Sequence, residues 1–290
     1  MSSKTIARFL GSLVIVSWLF QLAALHFAGG LASEAITPWL VATMFIPSLW
    51  SIIYLTIFNR GGWKSVQFRP GNPLFLLAAA LIPAIIACGV IALMIANGWA
   101  TSVYFDFGTE GVKILDGPWV LGNNRQGWAY WAANIAATAI YFAIINSVFA
   151  VGEEFGWRGV MQTHLIERLG FYKGVTLLGF VWAIWHLPMN LAGYNHPDTP
   201  VLGALVLFPI EHIALSFIMA CLTLWARSFW PAVLFHGSIN GIAQGLMTSL
   251  ATVDGVSSTM AECFQIGLSV AVALICLAVT PAHIRKGQKQ

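Results

Sequence analysis

Charge is what this 290-residue chain has least of: Asp, Glu, Lys and Arg together make up 9% of it, against about a quarter in a soluble domain. That scarcity excludes an ordinary water-soluble protein, and a formal net charge of +3 calls for no nucleic-acid partner. Cysteine is scarce too. The four residues Cys88, Cys221, Cys263 and Cys276 lie in apolar segments without CxxC spacing, so they indicate no disulfide framework or thiolate metal site and read as small core hydrophobes. There is no H-E-x-x-H, internal repeat or low-complexity segment.

What the chain has instead is apolar surface: 58% hydrophobic residues and a mean hydropathy of +0.78. Runs near twenty residues can cross roughly 30 Å of hydrocarbon as helices. The expected fold is an all-α polytopic membrane protein of about eight transmembrane helices around a polar cavity, with spans at 8–28, 36–58, 74–97, 134–169, 172–194, 201–226, 230–251 and 263–282. Between them lie turn-forming separators such as "NRGGWKSVQFRPGNP" at 59–73 and "NHPDTP" at 195–200. Residues 1–125 are N-terminal helices and loops, 126–251 a core holding the chemistry, and 252–290 a last helix with a basic tail, all in one membrane domain.

Lys and Arg accumulate in cytoplasmic loops, and here alternate loops separate cleanly. Twelve basic residues, including Lys4, Arg60, Lys64, Arg158, Arg168, Lys173, Arg227, Arg285, Lys286 and Lys289, fall on one side, leaving Lys113 and Arg125 on the other. Both termini are therefore expected in the cytoplasm of a multi-pass protein of the plasma membrane, the inner membrane in a prokaryote. The first span resembles a signal peptide but is longer than an h-region of 7 to 15 residues, which favours a retained helix over cleavage at "LAALHFAGG".

Against this background "AVGEEFGWRG" at 150–159 stands out, because Glu153, Glu154 and Arg158 interrupt a long apolar run. If Arg168 marks the cytoplasmic surface, Glu153 lies roughly 22 Å inward along a helix axis, inside the bilayer. Ionisable residues there cost about 2.5 to 3.5 kcal/mol and usually face a protein interior or a water-filled cavity. Glu154 and Arg158 share a helix face at i, i+4 and suit an ion pair. Adjacent Glu153 points about 100° away, free to act as a general base. A structural ion cluster that packs helices together is the competing reading.

Two more polar groups share that core. "FVWAIWHLPMN" places His186 inside the next span, and "LFHGSINGIAQG" places His236 and Asn240 on one helix face. Each alone is ordinary interhelical glue.

Together these motifs resemble the CPBP intramembrane proteases, the family of CAAX prenyl protease 2 enzymes and bacterial Abi proteins, over roughly residues 130–245. E-E-x-x-x-R is met by Glu153, Glu154 and Arg158; F-x-x-x-H by His186, with Trp182 in place of Phe; and H-x-x-x-N by His236 and Asn240. The resemblance implies hydrolysis of a peptide bond in a membrane-associated or lipidated peptide. Glu153 and His186 would activate water, while His236 and Asn240 stabilise the oxyanion. No cofactor is expected; the alternative is Zn²⁺ on Glu153, His186 and His236, since Glu and His can leave a metal an open water position. The partners implied are the peptide substrate and the lipid bilayer.

Other polar residues have less defined expectations. Glu211 is a candidate supporting residue behind a catalytic histidine, or a protonated interhelical hydrogen-bond donor. His212 reads as structural, His26, His196 and His283 as interfacial, and Asn190 as one turn beyond His186 with Pro188 between them. Trp157 and Trp185 flank the proposed chemistry and either pack or exclude water. A proton- or ion-coupled transporter and a noncatalytic scaffold or immunity factor are the competing functional classes.

Overall fold

The computed structural model describes residues 1–282; His283, Arg285, Lys286 and Lys289 lie outside the described residues. Its helices start and stop where local chemistry dictates. Helix α1 (Ser3–Ala28) is capped by Ser2, whose hydroxyl accepts from the Thr5 amide, and ends at Gly29, whose φ of 81° suits glycine. Helix α3 (Pro73–Ala96) opens with Asn72 as cap and Pro73 at its first position. Helix α2 (Thr37–Ile53) continues as a π-helical turn, Tyr54–Phe58.

Among the described residues six helical stretches are long and apolar enough to cross a membrane: Ser3–Ala28, Glu34–Phe58, Pro73–Ala96, Trp128–Leu169, Pro200–Ala226 and Thr259–Val279. The other two expected spans are broken. Residues 172–194 fold as α6 (Phe171–Trp185) and the five-residue α7 (Leu187–Leu191), interrupted near Pro188, which lacks an N–H and crowds the carbonyl four residues back. Residues 230–251 fold as α10 (Trp230–Ser238), a π-helical turn Ile239–Ala243, and α11 (Gln244–Met247). Both interruptions fall at motif residues.

The fourth stretch is continuous over 42 residues. It runs as α4 (Trp128–Glu154), a π-helical segment Phe155–Met161, and α5 (Gln162–Leu169). At about 63 Å it is twice the thickness of the hydrocarbon, so it tilts or extends beyond it. The fifth begins with α8 (Pro200–Leu202), turns through a π segment Gly203–Leu207 and becomes α9 (Phe208–Ala226). It is the central element, 67% buried in its apolar window against 17% for the last helix, α12 (Thr259–Val279). Around α9 pack α6, α10 and α12, while α10 also packs on α3 and α4, and α1 lies against α2, α6 and α7.

One end carries structure that the sequence does not announce. Strands β2 (Phe105–Gly108), β3 (Gly111–Ile114) and β4 (Arg125–Gly127) form an antiparallel sheet. Phe105, Trp119 and Trp131 pack beneath it, and β4 leads straight into α4. Strand β1 (Ala100–Ser102) pairs with β5 (Leu250–Thr252) just ahead of α12. At the same end His196, expected at an interface, is buried against Glu262 at 2.9 Å. At the opposite end Trp230 Nε1 donates to Phe68 O at 3.0 Å and Arg168 to the Ser3 hydroxyl at 2.7 Å. The loops thus gather at two ends in the same grouping as their charges.

Candidate active site

The acidic motif is brought inside by glycine. Gly152 and Gly156 form a G-x-x-x-G face on which α2 lies so closely that a Cβ at either would stand 2.7 Å from a backbone oxygen, of Met44 or of Pro47. Ser48 of α2 adds a hydrogen bond to Val151 O at 2.9 Å. Between the two glycines sit Glu153 and Glu154, 2% and 0% exposed.

The two carboxylates have different company. Both Glu154 oxygens accept from Arg158 Nη1 at 2.9 Å, and Oε1 also meets His236 Nδ1 at 2.9 Å. Arg158 Nη2 donates to Ser216 of α9 at 2.8 Å, and its guanidinium carbon lies 4.3 Å from the centre of the Trp182 ring. Glu154 is therefore fully engaged as a buried structural anion. Glu153 accepts a single hydrogen bond, from Trp182 Nε1 to Oε2 at 2.8 Å, and its Oε1 has no protein partner among the described residues. The indole where the motif has Phe is thus more than a bulky wall: phenylalanine has no N–H with which to hold this carboxylate.

His186 sits at the junction of α6 and α7 and is half-buried. Its Nδ1 lies 2.9 Å from Trp182 O. A carbonyl only accepts, so Nδ1 carries the hydrogen and, in the neutral ring, Nε2 keeps its lone pair. Trp182 stands at the hub, its ring centre 6.2 Å from that of His186 and 5.4 Å from that of His236. Residues 125–242 match the model of the family described as type II CAAX prenyl endopeptidase Rce1-like. The CPBP resemblance is borne out by that match, whose span contains all three motifs. No curated protein matches the chain.

Within the Rce1-like segment the structure gathers Glu153, Glu154, Arg158, Trp182, His186 and His236. Asn240 follows one turn after His236, half-buried in the π-helical turn. Glu211 goes elsewhere: it accepts a short hydrogen bond from Gln265 of α12. Asn190 accepts from Asn195 at 2.6 Å. Trp157 and Trp185 are buried and meet edge to face at 6.2 Å, the packing alternative of the two roles considered.

His212, read from sequence as structural, joins the group instead. Its ring centre lies 4.3 Å from Trp182 and 5.4 Å from His186, and its Nδ1 donates to Phe208 O at 3.0 Å. Its signal was weak because it matches none of the three motifs. It falls four residues before Ser216, the residue that anchors Arg158, so one face of α9 serves the site.

Among the described residues no three His, Cys, Asp or Glu side chains are arranged to hold a metal ion. The hydrogen bonds of Glu153, His186 and His236 leave Oε1 of the first and Nε2 of the two histidines uncommitted, so the donor types suit the Zn²⁺ alternative while their placement forms no three-ligand cluster.

Proposed function

We propose that the chain is an intramembrane endopeptidase of the CAAX type, cleaving a membrane-associated or lipidated peptide with water activated by Glu153. The observation that carries this reading is the division of labour between neighbouring carboxylates. Glu154 is saturated by Arg158 and His236, while Glu153 keeps an oxygen free and shares Trp182 as a partner with the half-buried His186.

In this scheme Glu153 Oε1 takes a proton from water as oxygen attacks the scissile carbonyl. His186, held by Trp182 O, orients that water through Nε2. His236 and Asn240 donate toward the developing oxyanion, and for His236 this requires a protonated ring, whose positive charge lies against Glu154. Each lost oxyanion donor typically costs about 2.7 to 4 kcal/mol. The proton on Glu153 then passes to the leaving amine. No step passes through a metal.

Peptides extracted from membranes with the wild-type chain, with Glu153→Gln, and without the chain test the reading. Fragments that appear only with the wild type support it and identify the substrate. Identical peptide sets in all three refute it, and coupled ion flux in proteoliposomes would support the transporter class.

A further inference from the structure

Helix α1 lies outside the Rce1-like segment, yet it touches the backbone at the catalytic helix break. Trp18 Nε1 donates to Ile184 O at 2.9 Å and Gln21 Nε2 to Trp185 O at 2.8 Å. These carbonyls are the two that immediately precede His186. Pro188 offers no N–H to Ile184 O, the carbonyl four residues back, and α6 ends at Trp185. A carbonyl left unpaired in hydrocarbon costs several kcal/mol, so a break there needs donors from a neighbour.

Gln21 has little other reason to be where it is. It is 1% exposed inside a membrane-spanning helix, and its own Oε1 has no partner among the described residues. A buried amide with half its capacity unused is a costly choice where leucine would pack. Its return is the hydrogen bond to Trp185 O. Below it Ala24 and Ala28 pack against Met189 of α7, so α1 grips both sides of the break.

We infer that Gln21 and Trp18 are positioning residues for His186: by satisfying the carbonyls of Ile184 and Trp185 they hold the α6–α7 break open at the angle that sets His186 against Trp182. The inference rests on the protease reading for its kinetic consequence, but the backbone latch stands on geometry alone. It makes α1 part of the reaction unit although it contributes no reacting group.

The test uses the full chain in detergent with a peptide substrate from the membrane comparison, and the variants Gln21→Leu, Trp18→Phe and Glu153→Gln. Gln21→Leu and Trp18→Phe should each lower kcat by about 10- to 100-fold per folded molecule, as a misplacement near 1 Å does, with KM within about twofold. Hydrogen–deuterium exchange over residues 183–192 should rise in both variants, but not in Glu153→Gln. A wild-type kcat in Gln21→Leu, or a fall in rate explained by loss of folded protein, overturns the positioning role. Unchanged exchange over 183–192 overturns the latch itself. If the wild type itself cleaves no peptide, the protease reading fails, and the exchange measurement alone then upholds or rejects the latch.

Discussion

His236 meets Glu154 and not Glu153: Nδ1 lies 2.9 Å from the Glu154 oxygen that also accepts from Arg158. One buried carboxylate therefore joins α4, the π-helical segment that follows it, and α10. Arg158→Met would leave Glu154 with only the histidine, at a cost of about 3 to 5 kcal/mol. Glu154→Gln combined with Arg158→Met should cost less than that single change, because both charges leave together. Thermal unfolding in detergent decides, and simple additivity of the two single changes would show that the pair does not act as a unit.

Glu153→Gln, His186→Ala and His236→Ala should each reduce peptide hydrolysis by at least about 10² while the protein still accumulates in the membrane. Wild-type turnover by Glu153→Gln would mean that the base is another group.

Trp182→Phe makes the chain fit the family motif better, yet should slow it by about tenfold, since it removes the N–H held by Glu153 and keeps the aromatic face under Arg158. The comparison is the initial rate of purified Trp182→Phe against wild type. Equal rates would show that the indole hydrogen bond contributes nothing to hydrolysis.

From the charge asymmetry we propose that the 59–73 loop faces the cytoplasm and the 195–200 loop the outside. In a background without native cysteines, an impermeant maleimide applied to intact cells should label a cysteine at position 198 and spare one at position 64. The reverse pattern would invert the proposed topology.

Gly156→Val should abolish the folded protein, because its first side-chain carbon would stand 2.7 Å from Pro47 O. Gly159→Ala, whose added carbon would meet nothing nearer than 3.5 Å, is the control and should accumulate normally. Size-exclusion profiles separate the two, and a monodisperse Gly156→Val would show that α2 can retreat.

The spans were legible because burial in lipid needs long apolar runs, and the site because charges among them are costly. Glu154 with Arg158 followed from i, i+4 spacing alone. His212 did not, since a lone histidine on an apolar helix carries no pattern until α6 is folded against it. Gly152 and Gly156 were in plain view around the acidic pair as a G-x-x-x-G, a signal eclipsed by the charges between them. The α6–α7 interruption needed both Pro188 and its donors 164 or more residues away on α1, and the sheet at 100–127 depends on tertiary partners such as Asn134, which no local period reports. Among the described residues six stretches are continuous and long enough to span, and the other two expected spans are broken for that reason.

The β1–β5 pairing has a consequence for how the protein is made. Ala100 waits for Thr252, so as the chain emerges from the ribosome the partner strand is synthesised only after α4 to α11. Every residue proposed for the reaction is therefore made before the clasp can close, and a closure across so much chain is slow relative to local helix formation. A nascent protein stalled before Leu250 would carry the complete set of reacting groups in an unfastened ring. Completion of the fold around the proposed site thus depends on β5, a strand that supplies no chemistry and is made after every residue assigned a role there.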